Sequence, residues 1–334
     1  MAKKSDESNT PKGEKPHPSE VRYVFLDTQV FRTNQYDLHS KNLQKLVSLA
    51  ESGKLKLIST ELTMREIMTH LAKRAIDAEA AIKKVQRELL PLVRTTNKHI
   101  APLMKEYKAR DFIGPLESEV KRFFERCNVE VIPISEHDLG EVLDLHFARR
   151  PPFDDSKKPS EFKDAFVMLA LKSWSTRFFN RTIHVVSGDS DWGSVCKAYP
   201  MFRDWKTLPE ILSLFPNQNL AGAIEKGFSR HKKFVQDALA IKFPELNFYL
   251  DQTAGEISKI EVSSVTIERI FVVEADAGKG RVDAECLVRF SCEATFGRPD
   301  TTHYDHQERC NVYPEREWVK YTGSEFLVAE IEIA

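Results

Sequence analysis

The chain has 334 residues, 41% of them hydrophobic and 30% charged, with a formal net charge of −1. That length favours more than one domain, and the balance is ordinary for a soluble globular protein. Near-neutral charge excludes nucleic-acid binding by overall charge alone, so such binding would need a local basic surface. The apolar runs are too short to cross a bilayer, so no membrane role is expected.

Residues 1–20 are polar and Pro-containing, lack the apolar stretch of a signal peptide, and carry more acids than a transit peptide; they predict a disordered tail. The five cysteines, Cys127, Cys196, Cys286, Cys292 and Cys310, are irregularly spaced. An odd number without a framework points to free thiols in a reducing compartment, hence the cytoplasm.

The first strand is predicted over Arg22–Leu26, RYVFL, ending on Asp27. A helix follows, capped by Ser40 and ended by Gly53, with Leu43, Leu46, Val47 and Ala50 at helical spacing. KLKLIS predicts a short strand, and Glu61 to about Val93 a long helix. Further helices are expected after Pro102 and after Pro115, so that residues 75–127 form a helical insertion. VEVIPI returns to strand character, a helix spans Ser135–Arg150, and a stiff loop, RRPPFDDSKKPSE, leads to a helix begun by Pro159 and Ser160. That helix carries Phe162, Phe166, Leu169 and Ala170 as its apolar stripe. TIHVVS is the next strand. Alternating strands and helices predict an α/β/α domain over 21–215, with a parallel central sheet. Residues 216–254 read as a helical linker. From 255 to 334 apolar and polar residues alternate, with Gly278 and Gly280 as a hairpin turn, and predict a small antiparallel β domain.

Ligands of an open parallel sheet bind beyond the carboxyl ends of its strands. Asp27 lies just past the first strand, and Asp189 and Asp191 just past TIHVVS. Glu66 and Asp164 lie early in helices whose starts face the same rim. Asp164 has Ala165, Phe166 and Val167 as neighbours, on a helix with little solvent-facing surface, where an unpaired acid is costly. Clustered carboxylates need raised pKa values or divalent cations, and an oxygen-only set suits Mg²⁺ or Mn²⁺.

VFLDTQVF, STELTMREI, EFKDAFVMLAL and VVSGDSDW, in that order, resemble the four acidic motifs of PIN-domain nucleases, closest to larger bacterial forms with a helical insertion. The resemblance covers residues 21–215. It implies a Rossmann-like fold and metal-dependent hydrolysis of phosphodiester bonds, usually in RNA, with Asp27, Glu66, Asp164 and Asp189 as catalytic metal ligands and Asp191 as a supporting acid. The implied chemistry is in-line attack by a Mg²⁺- or Mn²⁺-activated water, leaving a 5′-phosphate and a 3′-hydroxyl. Gln29 stands where the first motif usually carries Asn.

Thr28, Ser187 and Ser190 are candidates for bonding a phosphate oxygen or orienting an acid. Arg65, Arg149, Arg150, Lys157 and Lys158 are candidates for the substrate backbone, and Trp192 for stacking on a base. Each feature also has a plain structural explanation. SGDSD makes Asx turns, Asp27 caps a turn, and Glu66 faces Arg65 or His70. Asp164 pairs with Lys163 or Lys172, the paired cations are a solvated loop, and Trp192 packs. HYDHQERC with Cys286 and Cys292 fits no familiar zinc spacing, and those two cysteines share a core face.

Three functions compete: a regulated endoribonuclease of stress response or phage defence; a non-catalytic PIN-like RNA-binding or scaffold protein; and a DNA nuclease of flap or single-strand type. The β domain is a candidate for binding a second copy or a regulatory protein partner, for gating the active site, or for recognising RNA.

Overall fold

The computed structural model describes residues 22–93, 104–134, 138–153, 162–178, 181–246, 248, 255–276, 279–297, 303–305, 310–312 and 316–333. The expected disordered tail, the helix start at Pro159–Ser160, Lys157, Lys158, Gly278 and residues 306–309 of the His303–Cys310 segment lie outside these residues. The chain divides into two compact units, Met1–Leu214 and Phe215–Ala334.

In the first unit, β1 (Tyr23–Leu26), β2 (Lys56–Thr60), β3 (Glu130–Ile132), β4 (Ile183–Val186) and β5 (Phe202–Trp205) form one sheet in the order β3-β2-β1-β4-β5. Every pairing is parallel. Both central strands, YVFL and IHVV, are buried throughout, as a sheet covered on two faces requires. The helices are α1 (Thr28–Thr33), α2 (Lys41–Glu51), α3 (Glu61–Val93), α4 (Ala109–Arg126), α5 (Asp138–Phe147), α6 (Phe162–Arg177), α7 (Ser190–Ala198) and α8 (Leu208–Leu212). This is the α/β/α architecture expected from the alternating pattern.

Chain order reverses direction between β1 and β4, the point at which open α/β sheets form their ligand crevice. Leu26 pairs with Val186, so Asp27 and Ser187 leave the sheet side by side. The core beneath holds Phe25, Ile58, Met168, Leu171, Ile183 and Phe202. Each such side chain contributes about 1.5–3 kcal/mol by leaving water.

α6 is enclosed well beyond its expected stripe: Ala165, Val167, Met168, Leu169, Ala170, Leu171 and Trp174 are all buried. The Trp174 indole donates to Glu130 at 2.6 Å, tying α6 to β3, and stands edge-on to Tyr23 at 5.2 Å. Such enclosure of the helix is what makes an acid in its first turn costly.

Some expectations change. Ser40 occupies the N-cap position of α2 without a side-chain capping bond, whereas Gly53 ends that segment at φ 69°, a conformation that favours glycine. Instead of separate helices after Pro102 and Pro115, one helix, α4, runs through Pro115. One backbone bond is lost there, and burial of Val120, Phe123 and Phe124 along the same axis offsets it. Its first amide, at Ala109, donates to Glu79 Oε2 of α3 at 2.6 Å.

The second unit contains α9 (Gln218–Lys242), β6 (Gly255–Asp276), β7 (Lys279–Gly297) and β10 (Arg316–Ile333). The three strands form an antiparallel sheet in the order β10-β7-β6, beside a hairpin of β8 (His303–Asp305) and β9 (Cys310–Val312). α9 packs on the sheet rather than merely linking two domains: Ala221 and Phe228 enter one core with Val265, Val282, Ala284, Cys286 and Val288. Gly280 lies within β7 rather than in the turn. A Cβ there would stand 2.6 Å from Ile224 Cδ1, so its bare backbone admits α9. Cys286 and Cys292 are buried on one face of β7.

Candidate active site

The four motifs deliver their acids to the rim above the β1–β4 junction. Asp27 is the N-cap residue of α1, and Asp189 that of α7, its Oδ1 accepting from the Asp191 amide at 3.1 Å. Glu66 comes from the second turn of α3 and Asp164 from the first turn of α6. Ser187 joins two motifs: its hydroxyl donates to Asp27 Oδ2 at 2.6 Å and accepts from the Asp189 amide at 3.1 Å. Thr28 donates to Glu66 Oε2 at 2.9 Å, and Lys163 donates to Glu66 Oε1 at 2.6 Å.

The electrostatics divide these acids into two kinds. Burial pushes Asp164 up to about 6, and the negative charges of Asp27, Glu66 and Asp189 add to it. Asp27 is also raised, chiefly by burial and further by Glu66 and Asp189, against the bonds from Ser187 and the Thr28 amide. Burial acts on Glu66 as well, but the bonds from Lys163 and Thr28 outweigh it and hold that carboxyl below the ordinary range. Asp27 and Asp164 each feel the charges of Glu66 and Asp189, and Asp164 feels that of Asp27.

A cavity of about 20 Å³ opens among Asp27, Asp164, Asp189 and Asp191, walled by Met168, Trp192, Val195 and Pro152. Asp191 is 7% exposed. Among the described residues, no three His, Cys, Asp or Glu side chains are gathered into a metal-ligating group. The acids lie close enough for like charge to raise Asp27 and Asp164 without converging on one point. As donors they fit a hard divalent cation: all are carboxylate oxygens, and positive charge would relieve the shifts at Asp27 and Asp164.

A family model described as a PIN domain matches residues 24–192, just over half of the chain. The chain belongs to the PIN-domain family. Comparison with curated proteins and with solved structures gives no match. The PIN domain is a nuclease-type fold, and here its matched span contains all five acids.

For several residues of this PIN domain the structure shows which of the expected contacts is made. Thr28 and Ser187 are buried and bond to acids, one of the two roles expected of them. Trp192 is 4% exposed, packing against Phe25 at 5.6 Å; its indole is wall, not a stacking platform. Lys163 pairs with Glu66 rather than Asp164, and Lys172 pairs with Glu141. Gln29 lays its amide over Gly188 of the fourth motif, where a Cβ would meet it at 3.2 Å.

Ser190 is exposed beside Asp189 and Asp191, its hydroxyl 3.3 Å from Asp191 Oδ1. Arg65, Arg149 and Arg150 are exposed, the last two just before Pro152 of the cavity wall. Composition gave no hint of a second groove, of about 520 Å³, lined by Gly188, Ser190, Gly193, Lys197, Arg203 and Lys206. It shares the fourth motif with the acid cleft. Lys206 pairs with Asp204 at 2.6 Å, leaving the lining net positive.

Proposed function

We propose that this PIN protein is a divalent-cation-dependent endoribonuclease, hydrolysing phosphodiester bonds at the acid cleft and acting in the cytoplasm as a regulated stress or defence effector. One observation carries the proposal: acids from four separate segments lie near the switch point of a parallel sheet, where neighbouring charge and burial hold two of them above their ordinary pKa. Asp27, Asp164 and Asp189, with Asp191, would hold Mg²⁺ or Mn²⁺. When bound, the cation supplies charge to the scissile phosphate and lowers the pKa of an attacking water.

The chain's own groups do the rest. Ser187 fixes the Asp27 carboxylate, and Thr28 with Lys163 fixes that of Glu66. Ser190, exposed beside Asp189 and Asp191, would donate to a phosphate oxygen. Arg149 and Arg150, just before Pro152 of the cavity wall, and the groove of Lys197, Arg203 and Lys206, which shares the fourth motif, would offer cations to a strand at the cleft. The second unit is the proposed seat of a partner or a second copy. Its edge strand β10 exposes Trp318, Tyr321 and Phe326 to 55% or more.

The test is cleavage of a single-stranded RNA with Mn²⁺ by wild type and Asp164→Asn. Loss of cleavage with the fold intact supports the proposal, and wild-type turnover by the variant overturns it. Matched DNA and RNA strands, assayed in parallel, decide the substrate class; faster cleavage of DNA would assign the site to a flap or single-strand DNA nuclease. In the scaffold alternative, Gln29 in place of the first motif's usual Asn would be an early sign of lost activity. In that case Mn²⁺ binds nowhere in the cleft.

A further inference from the structure

We propose that the acid cleft holds a single divalent cation, among the aspartates, and that the Lys163 ammonium takes the place of a second cation against Glu66. The inference rests on reading the cleft as a cation site.

Three observations converge. First, the cavity is lined by Asp27, Asp164, Asp189 and Asp191, and Glu66 does not border it. Second, both Glu66 oxygens are engaged: Oε1 accepts from Lys163 at 2.6 Å and Oε2 from Thr28 at 2.9 Å. His70 Nε2 stands 4.0 Å from Oε1 on the next turn of α3. Third, Lys163 adjoins Asp164 in α6, so its positive charge is attached to the helix that carries the central acid.

The physical consequence is direct. A carboxylate oxygen can accept a hydrogen bond and still bind a metal, but an ammonium at 2.6 Å repels a dication drawn to that oxygen. The pair lies at the surface, with the Lys163 side chain 65% exposed, and such pairs contribute little to folding. Its role is therefore positional. Glu66 is kept ionised, and its charge is spent on a fixed cation instead of a diffusible one. Lys163 is a positioning residue that sets metal stoichiometry. A lysine beside an acidic helix residue looks like solvated surface in the sequence; its partner lies 97 positions away.

The experiment is calorimetric Mn²⁺ titration of the full chain near pH 7.5, with Mn–Mn coupling read by electron paramagnetic resonance. Wild type should bind one ion. Asp164→Asn should weaken binding by more than about 100-fold, beyond the usual loss of an outer-shell partner. Glu66→Gln should stay within the outer-shell range of about 10–100-fold and keep one ion. Lys163→Ala should release Glu66 and admit a second, spin-coupled ion, whereas Lys163→Arg should restore one. Two ions in wild type, a Glu66→Gln loss as large as that of Asp164→Asn, or unchanged one-ion binding in Lys163→Ala would each overturn the proposal while leaving the cation site standing. If wild type binds no Mn²⁺, the cation-site reading itself falls, and this inference with it.

Discussion

Asp164→Asn should stabilise the metal-free protein at high pH while destroying its site. The Asp164 carboxyl is raised from 3.8 to about 6, so the folded state binds its proton more tightly than the unfolded chain does. Below about pH 4 both states are protonated and the acid costs nothing. As pH rises from about 4 to about 6 the unfolded chain has released its proton and the folded one has not, so stability falls. Above about 6 the full penalty is present. About two pKa units correspond to a ceiling of about 3 kcal/mol, and partial solvent access reduces the expected gain to about 1–2 kcal/mol. Asparagine keeps the shape and removes the charge. Urea denaturation in EDTA should show the variant more stable than wild type by that amount at pH 8 and nearly equal at pH 4. Added Mn²⁺ should reverse the order, because only wild type gains binding energy in its folded state. A variant that is less stable at pH 8, or shifted equally at both pH values, would refute the argument that burial and like charge strain this acid.

Four further outcomes are expected. Mn²⁺ affinity should drop by about tenfold per pH unit below about 6, as protons compete for Asp164; an affinity flat between pH 5 and 7 would remove Asp164 from the ligand set. Ser187→Ala removes a buried bond to a charged acid, worth about 1.5–3 kcal/mol, and should move the acidic limb of the pH–rate profile upward, since Asp27 loses the bond that opposes its burial. Gly280→Ala drives a methyl to 2.6 Å from Ile224 Cδ1 and should cost about 1–3 kcal/mol by denaturant titration. Ile224→Val removes that atom and should recover part of the loss, the two changes coupling by more than about 0.5 kcal/mol. Charge reversal at Lys197 and Arg203 should raise KM for RNA and flatten its salt dependence with little change in kcat; an unchanged KM would take the second groove off the substrate path.

The legible parts of the site were those written in local pattern. YVFL and IHVV are unbroken apolar runs that must be buried, so the residues following them, Asp27 and Ser187, had to lie at strand ends. Asp164 was legible because its helix has almost no polar side, and the structure encloses that helix even more than its stripe suggested. Glu66 was different. Nothing local separates it from any exposed helical acid, and only its place in an ordered set of motifs singled it out. Pro115 misled for a local reason, since the energy that carries α4 through it comes from Phe123 and Phe124 packing elsewhere.

The sequence by itself determined the alternation of elements, the parallel sheet it implies, and which acids fall at its carboxyl rim, because burial and periodicity are properties of neighbouring residues. Only the tertiary structure decided which charge meets which. Lys163 reaches Glu66 across 97 residues, Ser187 reaches Asp27 across 160, and Trp192 turns inward instead of toward a base. Hydrogen bonds and Coulomb forces act over a few ångströms of space whatever the separation along the chain, so the division of these acids into compensated and uncompensated ones appears only when the strands are side by side.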